Sequence, residues 1–226
     1  MGRDKDDGSE RLLLAKEVLK MVEKTGVRFD TVFLNENPPD DDGIEQLICW
    51  GKRFYQLGIT SGSAGNLSFR TKDGFVVTGS GFGLDNLENE HFVEVVNEEI
   101  TNGQIVVYAK GKVIPSKESV FHWEIYQLRA EINAVFHAHD QMVLESADEV
   151  NVPCTKREHP RGSYEQAKEV KELLSLARGV RYLVLKNHGI VSTGETIEEA
   201  GRLAEYMNKR ARQTKEGGKN EDDARL

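Results

Sequence analysis

His137 and His139 stand two residues apart in "AVFHAHD", behind an apolar run, in a chain that has six histidines. On a β-strand, side chains at i and i+2 leave the same face. Both imidazoles therefore project together, and Ala138 points the other way. Two neutral imidazoles on one face can bind one divalent ion, although two half-exposed surface histidines would leave the same trace. His188 closes an apolar strand in "YLVLKNHGI" and precedes a glycine, a place where site residues sit on turns. Three imidazoles with an open fourth position is the arrangement of catalytic zinc. Such a site also needs a proton carrier. Glu118, after "IPSK" near the start of a helix, suits a general base or a labile fourth ligand. The plain alternative is a solvated carboxylate favoured by the helix N-terminus.

Two Gly-rich stretches, "TSGSAGNLS" (60–68) and "TGSGFG" (78–83), join strand-like segments. Small residues and hydroxyls let backbone N–H groups converge on an anion. Neither stretch matches the Walker or dinucleotide fingerprint, and tight turns use the same residues. Ser116 and Lys117, at a helix N-terminus, would add a hydroxyl and a positive charge to such a pocket.

The elements that position these residues follow from periodicity. "RLLLAKEVLKMVEK" (11–24) and "GIEQLICWGKRFYQLG" (43–58) read as amphipathic helices, the second with Gly58 as C-terminal cap. Between them, 25–42 carries Pro38-Pro39 and an acidic triplet and reads as a linker or an ordered arm. "NLSFRT", "GFVVTGS" and "QIVVYAKGKVI" are short β-rich runs. Helices are expected over 116–130 (Ser116 as N-cap), 163–178 and 196–217 (Thr196 and Glu199 as a capping box), with strands at 133–140 and 181–193. The last nine residues, "GKNEDDARL", read as a disordered tail. The closely spaced early strands leave no room for helical crossovers, so a single α/β domain with a mixed sheet is expected.

The 226 residues carry a net charge of −8, 38% apolar and 30% charged residues. No basic stripe is present, which argues against nucleic acid as a partner. No apolar run approaches the roughly 20 residues that span a bilayer, and the N-terminus has no apolar signal core. Cys49 and Cys154 lack metal-type spacing and suggest no disulfide framework. A cytoplasmic protein is expected.

Taken together, "GSAGNLSFR", "VVTGSG", "IPSKESVFH", "AVFHAHD" and "LKNHGI" resemble the class II aldolase/adducin family, in the family's order, from about Ile44 to Met207. The resemblance implies a three-layer αβα domain around a mixed, mainly antiparallel sheet. It divides the chain into an N-terminal helix and arm (1–43), a catalytic domain (44–215) and a flexible tail (216–226). It implies a homotetramer with active sites between subunits and one zinc ion per chain, other divalent metals being possible among imidazoles. The family's zinc ligands map onto His137, His139 and His188, and its acid/base glutamate onto Glu118. Its phosphate loops map onto Ser63, Gly65 and Asn66, onto Ser80 and Gly81, and onto Ser116. Asn66 also helps hold an enediolate. The implied activity is reversible cleavage of a small phosphorylated ketose through a metal-stabilised enediolate.

The chain departs from fuculose-phosphate-aldolase-like members at two places. Lys117 stands where they carry a second phosphate-binding serine. The segment after His139 lacks the longer insert that brings a catalytic tyrosine from the neighbouring subunit, and neither Tyr164 nor Tyr206 matches that position. Methylthioribulose-phosphate dehydratase relatives keep the three histidines and the glutamate, so dehydration is the alternative. Epimerase relatives usually carry Asp at the place of Glu118. The adducin branch, a metal-free binding module, lacks the ligand histidines that this chain retains. His122 is expected to be structural, His91 and His159 to lie at the surface, and Trp50 and Trp123 in the core or an interface.

Overall fold

The computed structural model describes residues 28–101 and 104–223, so the helix expected over 11–24 lies outside the described residues. Eight strands form one sheet: β1 (Arg28–Asn35), β2 (Gly65–Arg70), β3 (Phe75–Thr78), β4 (Phe92–Thr101), β5 (Gln104–Lys110), β6 (Ala134–Ala138), β7 (Tyr182–Leu185) and β8 (Gly189–Gly194). Their order is β1-β5-β4-β3-β2-β6-β8-β7. Among the described strands, β1 and β5 pair in parallel and the other neighbours are antiparallel. The helices are α1 (Gly43–Gln56), α2 (Ser119–Leu128), α3 (Gln141–Glu145), α4 (Ala147–Val150), α5 (Tyr164–Ser175) and α6 (Ile197–Asp223).

Alternation along the strands divides the core into two layers. Ile105, Val107 and Ala109 of β5 pack with Val120, Phe121 and Ile125 of α2 and Val170 and Leu174 of α5. On the opposite face, Leu67, Phe136 and Ala138 pack with Leu47, Trp50 and Phe54 of α1 and with Ala200, Ala204 and Met207 of α6. The result is a three-layer αβα domain with a mixed, mainly antiparallel sheet. Within β6, Val135 joins the first layer, and Ala134, Phe136 and Ala138 join the second. By the period of two, His137 faces α2 and α5. Trp50 meets Phe54 and Phe136 edge to face, so this tryptophan is a core residue.

Several elements differ from the sequence reading. Residues 28–35 are a strand on the edge of β5, because "RFDTVFLN" is rich in β-branched and aromatic residues. β4 is a strand that the sequence reading lacks; its outer half, "NEEIT", is exposed apart from half-buried Glu98 and too charged to register as a strand by hydropathy. Residues 181–193 are two antiparallel strands, turned by 186–188 with Asn187 at φ 57°. α2 begins at Ser119, since Pro115 is engaged in a bridge with Gly79. Ser116 accepts a hydrogen bond from the Glu118 N–H at 3.3 Å instead of capping at residue 116. α6 runs to Asp223, past the expected end at 217. Thr196 caps it through the Glu199 N–H (3.1 Å), while the Glu199 carboxylate accepts from the Glu195 N–H (2.9 Å), so only half of the capping box forms.

Candidate metal centre

His137 comes from β6, His139 from just past its end, His188 from the β7–β8 turn, and Glu118 from the loop that enters α2. These four offer ligand atoms that all lie within 4.8 Å of one another. His137 Nε2 is 3.2 Å from Glu118 Oε2, and His188 Nε2 is 3.0 Å from Glu118 Oε1. The Nε2 atoms of His139 and His188 are 3.1 Å apart. The sheet brings this about directly. β6 pairs with β8 on one side and with β2 on the other, which sets Asn66 opposite His137. Gly65 permits the β2–β6 approach: its φ is +131°, and a Cβ there would lie 2.5 Å from the His137 carbonyl oxygen.

Backbone and side-chain partners orient the rings. His137 Nδ1 lies 2.8 Å from the Ile190 carbonyl oxygen, which makes Nδ1–H the donor and leaves the Nε2 lone pair aimed at the cluster. The Gln166 amide, on α5, meets His188 Nδ1 at 2.9 Å. Asn66 Nδ2–H donates to Glu118 Oε2 at 2.9 Å.

This donor set fits a divalent cation. Glu118, His137 and His188 are buried and His139 is half-buried. His137 Nε2 and Glu118 Oε1 are buried yet form no hydrogen bond of good geometry, despite neighbours about 3 Å away. Orphaned polar atoms converging in this way cost stability unless something satisfies them. Burial opposes ionisation of Glu118, but charge and hydrogen bonding from His137 and His188 outweigh it and hold the carboxyl well below its usual range. Burial, then the charges of His137 and His188, push the half-buried His139 down to about 3, so its ring is neutral and ready to ligate.

The segments expected to bind an anion contact one another. The Ser80 N–H donates to the Ile114 carbonyl (2.8 Å), and the Ser116 N–H to the Thr78 carbonyl (3.2 Å). A Cβ on Gly83 would lie 3.3 Å from the Gly62 carbonyl oxygen. Ser63, Ser80 and Gly81 are exposed, Gly65, Ser116 and Lys117 half-buried, and Asn66 buried. Tyr164 and Tyr206 are 42% and 59% exposed.

Some contributors are not legible from the sequence. Gln166 is one: Ser163 caps α5 through the Gln166 N–H (3.2 Å), a readable signal, but the direction of its side chain depends on tertiary packing. Behind His139, buried Asp140 accepts from Asn208 Nδ2–H at 3.0 and 2.9 Å, and Arg212 Nε–H donates to Asn208 Oδ1, tying α6 to the end of β6. His122 is fully buried, with Nδ1 2.7 Å from Ser68 Oγ, which in turn meets Tyr126 OH at 2.8 Å. His91 and His159 are half-buried, not superficial: His91 stacks on Phe82, and His159 meets Glu169 at 2.5 Å.

A mixed αβα sheet carries a Glu/His3 cluster that could hold a metal ion, and comparison with known proteins gives this arrangement a family. The family model for the Class II Aldolase and Adducin N-terminal domain matches residues 45–214, and the chain belongs to that family. An L-fuculose phosphate aldolase from Haemophilus influenzae is 28% identical over 169 residues, 67% of this chain and 72% of that protein. A 3-oxo-tetronate 4-phosphate decarboxylase from the same organism is 31% identical over 185 residues, 74% of this chain and 84% of that protein. The crystal structure of L-fuculose-1-phosphate aldolase from Thermus thermophilus superimposes with a TM-score of 0.65 at 25% identity, covering 79% of this chain and 95% of that one. No described helix is long and apolar enough to cross a membrane.

Proposed function

We propose that the chain is a zinc-dependent lyase that reversibly breaks a carbon–carbon bond in a small phosphorylated ketose. The observation that carries this reading is the convergence of Glu118, His137, His139 and His188 within 4.8 Å. In this reading the three imidazoles hold the cation. Zinc there would supply Lewis acidity, taking up charge that develops on substrate oxygens as the bond breaks. Glu118, held ionised, accepts and returns the proton on the carbon that changes bonding, with Asn66 fixing its carboxylate. Ser63, Gly65, Asn66, Ser80, Gly81, Ser116 and Lys117 bind the phosphate, which orients the reacting end by remote binding energy. A cytoplasmic homotetramer with active sites between subunits belongs to the same reading.

A second reaction, decarboxylation of a phosphorylated 3-oxo acid, is favoured by the decarboxylase relative at 31% identity. It suits a site without the family's inserted tyrosine, because the carbon–carbon bond electrons pass to the substrate carbonyl, carbon dioxide leaves, and no aldehyde oxygen exchanges a proton. A product assay on a panel of ketose phosphates and phosphorylated 3-oxo acids decides. Dihydroxyacetone phosphate or glycolaldehyde phosphate with an aldehyde indicates aldol cleavage, and carbon dioxide indicates decarboxylation. Water loss without cleavage indicates dehydration. Full turnover by Glu118→Gln would remove Glu118 as proton carrier.

A further inference from the structure

The mouth of the imidazole cluster carries a cation that the lyase reading does not use. Arg161 is exposed, in the turn Pro160–Ser163 closed by the Ser163 N–H to the Pro160 carbonyl (3.1 Å). Gly162, at φ +69°, supplies the left-handed position of this turn. Its N–H donates to Gln166 Oε1 (3.1 Å), and the same amide meets His188 Nδ1. Gly162 also packs on Lys117: a Cβ there would be 2.7 Å from the Lys117 carbonyl oxygen. The turn is thereby clamped between the residue preceding Glu118 and the partner of His188. Arg161 is thereby held one residue from the contacts that join the turn to Lys117 and to the partner of His188. His139 is the half-buried member of the cluster, so the cluster opens on the His139 side.

Some arginines of this acidic chain sit in ion pairs, as Arg53 does with Glu205, Arg181 with Glu195, and Arg202 with Glu198. Arg161 pairs with no described carboxylate. A fixed positive charge beside a divalent-cation site opposes loading of the cation. An anion bound between the two offsets that repulsion, and the guanidinium fork matches anionic oxygens in bidentate fashion.

We propose that Arg161 is a substrate-recognition residue whose guanidinium receives an anionic oxygen group of the substrate, carboxylate or phosphoryl, at the His139 side of the cluster. This rests on the lyase reading of the site. The test is calorimetric titration of zinc-loaded wild type, Arg161→Gln and Arg161→Lys with 3-phosphoglycerate, glycerol 3-phosphate and glycerate. Arg161→Gln is expected to weaken 3-phosphoglycerate roughly 10- to 100-fold, with partial recovery in Arg161→Lys. A matching loss for glycerate alone identifies a carboxylate, and for glycerol 3-phosphate alone a phosphoryl group. Zinc binding by Arg161→Gln is expected to be as tight as in wild type or tighter. Equal affinities of wild type and Arg161→Gln for all three probes, or no binding by wild type, overturns the proposal. Failure of the lyase reading is distinguishable, because it shows in wild type as absence of zinc or of carbon–carbon cleavage.

Discussion

His122 offers a quantitative test of the packing around the cluster. It is fully buried on α2, with Nε2 unpartnered and the ring against Phe121 and Phe75. Burial, then the charge of His137, push it from its ordinary 6.5 down to about 3, Glu118 opposing. The folded-state value lies below the unfolded one, so the neutral ring's contribution is complete above about pH 6.5 and is lost as pH falls toward 3. The shift is worth roughly 5 kcal/mol when fully expressed, or about 2 kcal/mol at pH 5. His122→Asn keeps a polar atom near the Nδ1 position facing Ser68 but takes no proton. It costs about 1–3 kcal/mol at pH 7.5 through lost ring packing. Urea unfolding of both proteins from pH 7.5 to 5, with chelator present in each, should show this gap shrink by about 2 kcal/mol. All other ionisable groups are common to the two proteins, so their contributions largely cancel. A gap that stays constant across that range would refute the buried, neutral assignment.

Other substitutions probe the remaining links. Gln166→Leu removes the partner of His188 Nδ1 and is expected to weaken zinc binding about 10- to 100-fold in a chelator competition, with the far-ultraviolet circular dichroism unchanged. Unchanged affinity would remove Gln166 from a positioning role. Gly51→Ala would set a Cβ 2.3 Å from the Leu84 carbonyl oxygen, where backbone cannot yield easily. It should lower stability by about 1–3 kcal/mol; an unaltered melting temperature would show that α1 is free to shift.

The legible part of the site rests on short-range geometry. His137 and Ala138 fall in opposite layers because a strand alternates, and His188 lies on a turn because Asn187-His188-Gly189 interrupts an apolar run. The family resemblance joins these to Glu118, which periodicity alone leaves as a solvated carboxylate; in the fold Glu118 is only 7% exposed. What escapes a reading of the sequence depends on contacts distant along the chain. β1 is a strand because β5 offers it an edge, 75 to 76 residues downstream by the register Arg28↔Gln104 through Asn35↔Lys110, with a bulge between. Gln166 faces His188 only because α5 packs over the first layer. The turn that carries Arg161 is held by the Gly162–Lys117 contact, which nothing in the loop's own residues announces.

The central question is whether Glu118, His137, His139 and His188 hold one cation together. Zinc titration of metal-free protein, read by calorimetry beside the His137→Ala and His188→Ala variants, addresses this directly. The prediction is about one zinc ion per wild-type chain and a loss of at least about 100-fold in affinity in either variant. Wild type and both variants binding zinc with the same stoichiometry and affinity would contradict it.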